Sequence, residues 1–150
     1  MRSGRIIFSV ALVVFALDWG SKLYVMEWLG MRAGDEVGVV PPFLQFRMLW
    51  NPGINFGIGG SADARWFLVA LSIAISGGLT LWVLRKRRPD LALGAGLVVG
   101  GAMGNALDRV VWGAVADFLN MSCCGIDNPY SFNIADVAIF AGALWIVWKA

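Results

Sequence analysis

The 150-residue chain contains no histidine. That removes Ser-His-Asp and Cys-His catalysis and every metal site built on imidazole. Cysteine is nearly as scarce. Cys123 and Cys124 are adjacent, and neighbours suit neither a disulfide framework nor a zinc site, both of which need wider spacing. Charge is thin: 15% of residues are charged and 59% are hydrophobic, with 8 Trp, which is too apolar for an ordinary soluble domain. The net balance of +2 says little, because the placement of the charges carries the information. No internal repeat and no low-complexity tract interrupts the chain.

Long apolar runs take the place of these missing features. Crossing a bilayer takes about 20 residues, and four segments qualify, roughly 6–29, 66–84, 91–111 and 134–148. The first follows Arg2 and Arg5 as a signal peptide would, but it leads into Asp18-Trp19-Gly20-Ser21 rather than a cleavage site, so it reads as a retained helix. The expected fold is an all-α integral membrane protein, one membrane domain over 1–150 with four transmembrane helices. Cations cluster before the first run, at Arg85, Lys86, Arg87 and Arg88, and at Lys149. The positive-inside rule then puts both termini in the cytoplasm. The segment of about 30–65 lies outside; its alternating apolar stretches and Pro41-Pro42 predict a small extracytoplasmic sheet at the bundle mouth. Ser61 or Asp63 is the expected cap of the second helix.

Gly96, Gly100 and Gly104 recur every four residues on the third helix and predict close helix packing. Gly101, Asn105 and Asp108 share a face that turns an amide and a carboxylate inward, and Arg109 lies four residues from Asn105. Buried groups of this kind must be hydrogen-bonded, so this face is a structural network or a substrate clamp.

Ten acidic residues reduce to two. Asp35, Glu36, Asp63, Asp90 and Asp127 fall in connections, and Glu27 lies near the water-facing end of the first span. Asp18 has Lys22 four residues on, and Asp108 can pair with Arg109 or with Lys22. Asp117 and Asp136 have no Lys or Arg within a helical turn. An ionised Asp in hydrocarbon costs roughly 3 kcal/mol, so these two need a reason to be there. The expected chain direction places both at the outer face, where the third span ends and the fourth begins. Paired carboxylates without His or metal ligands suggest aspartic-protease chemistry, with one acid protonated and the other activating water. A Ser21–Lys22 dyad is a weaker option, because adjacent helical residues face different ways. Two acids that merely terminate helices, and a proton relay, also remain open.

Five blocks in order then resemble the prolipoprotein signal peptidase family, the type II signal peptidases. They are Asp18-Trp19-Gly20-Ser21-Lys22, Asn51-Pro52-Gly53-Ile54-Asn55-Phe56-Gly57, Gly100-Gly101-Ala102-Met103-Gly104-Asn105-Ala106-Leu107-Asp108-Arg109, Val115-Ala116-Asp117-Phe118 and Phe132-Asn133-Ile134-Ala135-Asp136. Asn55 departs from the alanine common in that family. The resemblance implies four helices with an extracytoplasmic β-cradle in a bacterial inner membrane. It implies an aspartyl endopeptidase that cuts diacylglyceryl-modified prolipoproteins just before the lipid-bearing cysteine. Asp117 and Asp136 match the catalytic pair, and Asn51, Gly53, Asn105, Arg109 and Asn133 match positions lining the substrate or inhibitor pocket. Asp18 and Lys22, with Asp108, match a supporting role. The implied partners are the prolipoprotein, membrane lipid and globomycin-type inhibitors, with no cofactor, metal or nucleic acid, and the chain is expected to be a monomer.

Overall fold

The computed structural model describes residues 2–53 and 61–150, and for 61–63 the backbone alone. The block at 54–57, with Asn55, and the capping side chains expected at Ser61 and Asp63 lie outside the described residues. Among the described residues the chain forms four α-helices and a three-stranded sheet: α1 Arg2–Leu23, β1 Glu36–Val40, β2 Leu44–Asn51, α2 Ser61–Lys86, α3 Ala92–Trp112, β3 Val115–Met121 and α4 Ile134–Lys149. A π-helical turn, Tyr24–Trp28, extends α1. Among the described residues, three helical segments are long and apolar enough to cross a membrane: Arg2–Trp28, Ala64–Lys86 and Pro89–Trp112. At about 1.5 Å per residue, the 16 residues of α4 reach only some 24 Å, short of a 30 Å hydrocarbon core.

The hub is α3, which packs against α1, α2 and α4. Its glycines make that possible, because a helix without side chains on one face lets a neighbouring backbone approach closely. A Cβ at Gly100 would come within 2.6 Å of the Ala11 carbonyl oxygen on α1. One at Gly104 would come within 2.6 Å of Asp18 Oδ2. The stripe expected to mediate packing therefore faces α1, and its last member makes room for a carboxylate.

The sheet has the order β1-β2-β3 and is antiparallel throughout. Its third strand corrects the sequence reading, which confined the sheet to 30–65 and left Asp117, just past the end of the third span, in no strand. Instead α3 stops at Trp112, because Gly113 turns left-handed (φ 85°) and its N–H bonds to the Arg109 carbonyl. The chain then runs back as β3 along β2, setting Asp117 opposite Leu49 and Val115 opposite Asn51. Val25, Met31, Met48, Ala116 and Phe118 form the apolar core beneath the sheet. Phe132 bonds to Leu119 in both directions, N–H to carbonyl, which closes the connection from β3 to α4.

Candidate active site

A buried ion cluster supports the site. Lys22 Nζ lies 2.6 Å from Asp18 Oδ2 and 2.7 Å from Asp108 Oδ2, and all three side chains are fully buried. Asp108 had two candidate cations in the sequence; it takes Lys22, and Arg109 points elsewhere. Two carboxylates around one ammonium leave oxygens to satisfy, and each finds a backbone donor. Asp18 Oδ1 accepts from Ala135 N at 2.9 Å, and Asp108 Oδ2 accepts from Ala116 N at 3.2 Å. Ala116 and Ala135 are the residues immediately before Asp117 and Asp136. The cluster thus fixes the backbone at both acids, from α1 to the start of α4 and from α3 to β3. Trp19 Nε1, 3.0 Å from Asp108 Oδ1, completes the shell, and its ring stacks on Trp112.

Asn133 joins the two acids. Its extended backbone opens α4 with a reciprocal cap: its Oδ1 accepts from Asp136 N at 2.8 Å, and its N–H donates to Asp136 Oδ2 at 3.3 Å. The remaining end of the side chain, Nδ2, donates to Asp117 Oδ1 at 2.7 Å and to Asn105 Oδ1 at 3.1 Å. Asn105 in turn donates from Nδ2 to Asp136 Oδ1 at 2.9 Å, with Lys22 Nζ 3.4 Å behind its oxygen. Asn51, at the end of β2, donates to Asp117 Oδ2 at 3.1 Å. Residues from α1, α3, β2, β3 and α4 therefore converge on one pair of carboxylates.

The two acids differ in surroundings. Asp117 is 3% exposed, whereas Asp136 is half-buried at the mouth of α4. Burial pushes the Asp117 carboxyl up to about 7, the charge of Asp136 adds to the rise, and the Asn51 and Asn133 amides with the Lys22 charge oppose it. A carboxyl that titrates near neutrality beside a second acid gives a pair able to carry one proton at working pH.

The other residues singled out in the sequence lie around this pair. Gly53 takes φ 91°, and its N–H donates to Asn51 Oδ1 at 2.9 Å, which aims the Asn51 amide at Asp117. Arg109 donates from Nη1 to its own helix at Asn105 O (3.2 Å), and its buried Nε finds no partner among the described residues. Arg109 and Asn105 head a cleft of about 240 Å³ floored by α3 and walled by Leu68, Leu71 and Ile75 of α2 and Ile139 of α4. Asn133 is fully buried, between the acids rather than open to the cleft. Ser21 turns its hydroxyl to the Asp18 carbonyl (2.7 Å), and Lys22 is held by two carboxylates, so a Ser-Lys dyad does not form. Cys123 and Cys124 are free thiols in the β3–α4 connection. Sequence reasoning missed Asn120. This fully buried residue of β3 bonds to Gln45 and to the carbonyls of Asn128 and Tyr130, and so holds that connection in shape.

The chain is similar to known proteins over most of its length. The family described as signal peptidase (SPase) II matches residues 10–150. The lipoprotein signal peptidase of Caulobacter vibrioides is 41% identical over 143 residues, covering 94% of this chain and 83% of that protein. That of Methylorubrum extorquens is 42% identical over 154 residues, covering 97% and 84%. A bacterial membrane enzyme solved by the in meso method at 1.9 Å superimposes with a TM-score of 0.80 at 29% identity, over 95% of this chain and 90% of that one.

Proposed function

Since the chain belongs to the signal peptidase II family, whose members are bacterial integral membrane proteases of lipoprotein processing, we propose that it removes signal peptides by aspartic catalysis at Asp117 and Asp136. The substrate is a diacylglyceryl-modified prolipoprotein, cut just before the lipid-bearing cysteine. The observation that carries this reading is the single residue Asn133, whose side chain donates to the Asp117 carboxylate and whose backbone N–H donates to the Asp136 carboxylate, with the Asp117 carboxyl pushed up to about 7.

In the proposed reaction a water lies between the acids and the scissile carbonyl. Asp136 takes a proton from the water as its oxygen attacks the carbonyl carbon, and Asp117 gives its proton to the carbonyl oxygen. The tetrahedral diol collapses as a proton passes to the cysteine nitrogen, breaking the C–N bond and releasing the signal peptide as an acid. Asn105, Asn133 and Asn51 hold the pair in register, and the Lys22 cluster holds the backbone behind them. Arg109 and Asn105 face the cleft between α2 and α4. The last carbonyls of a signal-peptide helix have no intrahelical donors and need N–H groups there. A globomycin-type cyclic peptide would compete for the same donors.

The proposal places four helices across the bacterial inner membrane, the short α4 included, with both termini cytoplasmic and the sheet on the outer face. The working unit is a monomer that needs no cofactor. The test is incubation of purified protein with a diacylglyceryl-modified prolipoprotein. We expect cleavage, and a loss of at least about 10²-fold in Asp117→Asn and in Asp136→Asn, each still folded. Full turnover by either variant ends the aspartic proposal.

A further inference from the structure

A second groove reaches Asp136, on the other face of α4. It encloses about 370 Å³ and is lined by Phe132, Asp136, Val137, Phe140, Ala141 and Leu144, with Asp136 at its head and only apolar side chains beyond. Val137, Phe140 and Leu144 are 51%, 68% and 55% exposed, so they face the surroundings of the bundle rather than its core. From Asp136 to Leu144 the groove follows α4 for eight residues, about 12 Å, most of the roughly 15 Å depth of one leaflet's hydrocarbon.

The two clefts differ in one respect that decides what each can hold. The α2–α4 cleft carries donors at its head, from Arg109 and Asn105, and suits a helix end with free carbonyls. Among the described residues, the side chains along the apolar length of the groove on α4 offer no donor, which suits a chain with no polar group to satisfy. In the proposed reaction the residue after the scissile bond bears such chains, two acyl groups on the glyceryl carried by its cysteine. We infer that the groove of Phe132, Val137, Phe140, Ala141 and Leu144 seats an acyl chain of the substrate's diacylglyceryl cysteine, with Asp136 at the bond to be cut. This inference rests on the proposed function and assigns its lipid subsite. Lipid tails are as apolar as these side chains, so seating one adds little affinity. Its effect is orientation: with the chain down α4 and the signal helix against α2, the scissile carbonyl is held over the pair.

The test compares two synthetic prolipoprotein peptides, one with dipalmitoylglyceryl and one with dibutyrylglyceryl cysteine, in the same detergent. Ala141 is exposed, so Ala141→Trp fills the groove without disturbing the core. We expect this variant to lose about tenfold or more in kcat/KM on the dipalmitoyl peptide, carried mainly by kcat, and less than about threefold on the dibutyryl peptide. Leu12→Trp, on the exposed face of α1, is the control and should change neither. Equal effects of Ala141→Trp on both peptides, or none on either, overturn the groove assignment while leaving the protease intact. A wild-type protein that cleaves neither peptide overturns the proposed function itself. Independently of turnover, a dipalmitoyl peptide with a mid-chain diazirine should crosslink to Phe140 or Leu144; crosslinks confined to α2 contradict the assignment.

Discussion

Replacing Asp117 by Asn removes a titration from the folded protein. The wild-type carboxyl is held at about 7 against an ordinary 3.8, chiefly because it is buried. Between those values the folded state keeps a proton that the unfolded chain has lost. Wild-type stability therefore falls as pH rises from about 4 to 7 and stays low above that window. A shift of about three units corresponds to roughly 4 kcal/mol. The amide introduced offers one oxygen to two donors, Asn51 Nδ2 and Asn133 Nδ2, and the lost bond costs about 1 kcal/mol. The variant should then be about 3 kcal/mol more stable than wild type at pH 8, and equal or slightly less stable at pH 4. For a chain of this size that is roughly 6–12 °C in Tm. The assay is thermal unfolding of both proteins in one detergent from about pH 4 to 9, taking the difference in Tm at each pH. A difference that does not change with pH would refute the reasoning, because Asp117 would then hold no proton through the neutral range.

Other substitutions probe the supports of the pair. Lys22→Met leaves Asp18 and Asp108 buried side by side and should cost about 3–5 kcal/mol; the triple change with Asp18→Asn and Asp108→Asn should recover much of it in the same melts. Asn133→Ala should lose about 1 kcal/mol with the α4 cap, whereas Asn133→Ser keeps a cap but cannot reach Asp117. The serine variant loses the amide bonds to Asp117 and Asn105 but keeps the cap, so it should be about 1 kcal/mol more stable than the alanine variant yet cleave at least about tenfold more slowly than wild type; wild-type turnover would remove Asn133 from the positioning of the pair. An impermeant thiol reagent should label Cys124 in intact spheroplasts. Cys123 should react more slowly, its thiol pushed up by hydrogen bonding with Cys124 and by partial burial. Double replacement by Ser should keep most activity; a loss beyond about tenfold in folded protein would reopen a thiol mechanism.

Much of this was legible from residue types alone. Apolar runs marked three spans, and the absence of a cation near Asp117 and Asp136 picked out the pair. The four-residue spacing of Asp18 and Lys22 gave their ion pair. β3 was hidden because Val115–Met121 is almost wholly buried and shows no alternation, and its partner β2 lies more than sixty residues earlier. Only the pairing of distant segments makes Val-Ala-Asp-Phe a strand. Asn133 could be matched to a pocket, but its reach to both acids depends on how α4 meets β3. The same holds for the link from Asp18 and Asp108 to the amides of Ala135 and Ala116, which joins residues far apart in the chain.

The central claim is that one proton is shared by Asp117 and Asp136 during cleavage. The most direct measurement is the rate of prolipoprotein cleavage from about pH 4 to 10, with each limb checked for reversibility. We expect a bell: an acid limb where both acids are protonated, and an alkaline limb falling as Asp117 loses its proton, from about pH 7. A rate that stays flat from pH 7 to 10 would show that no shared proton is needed, and would contradict the aspartic mechanism.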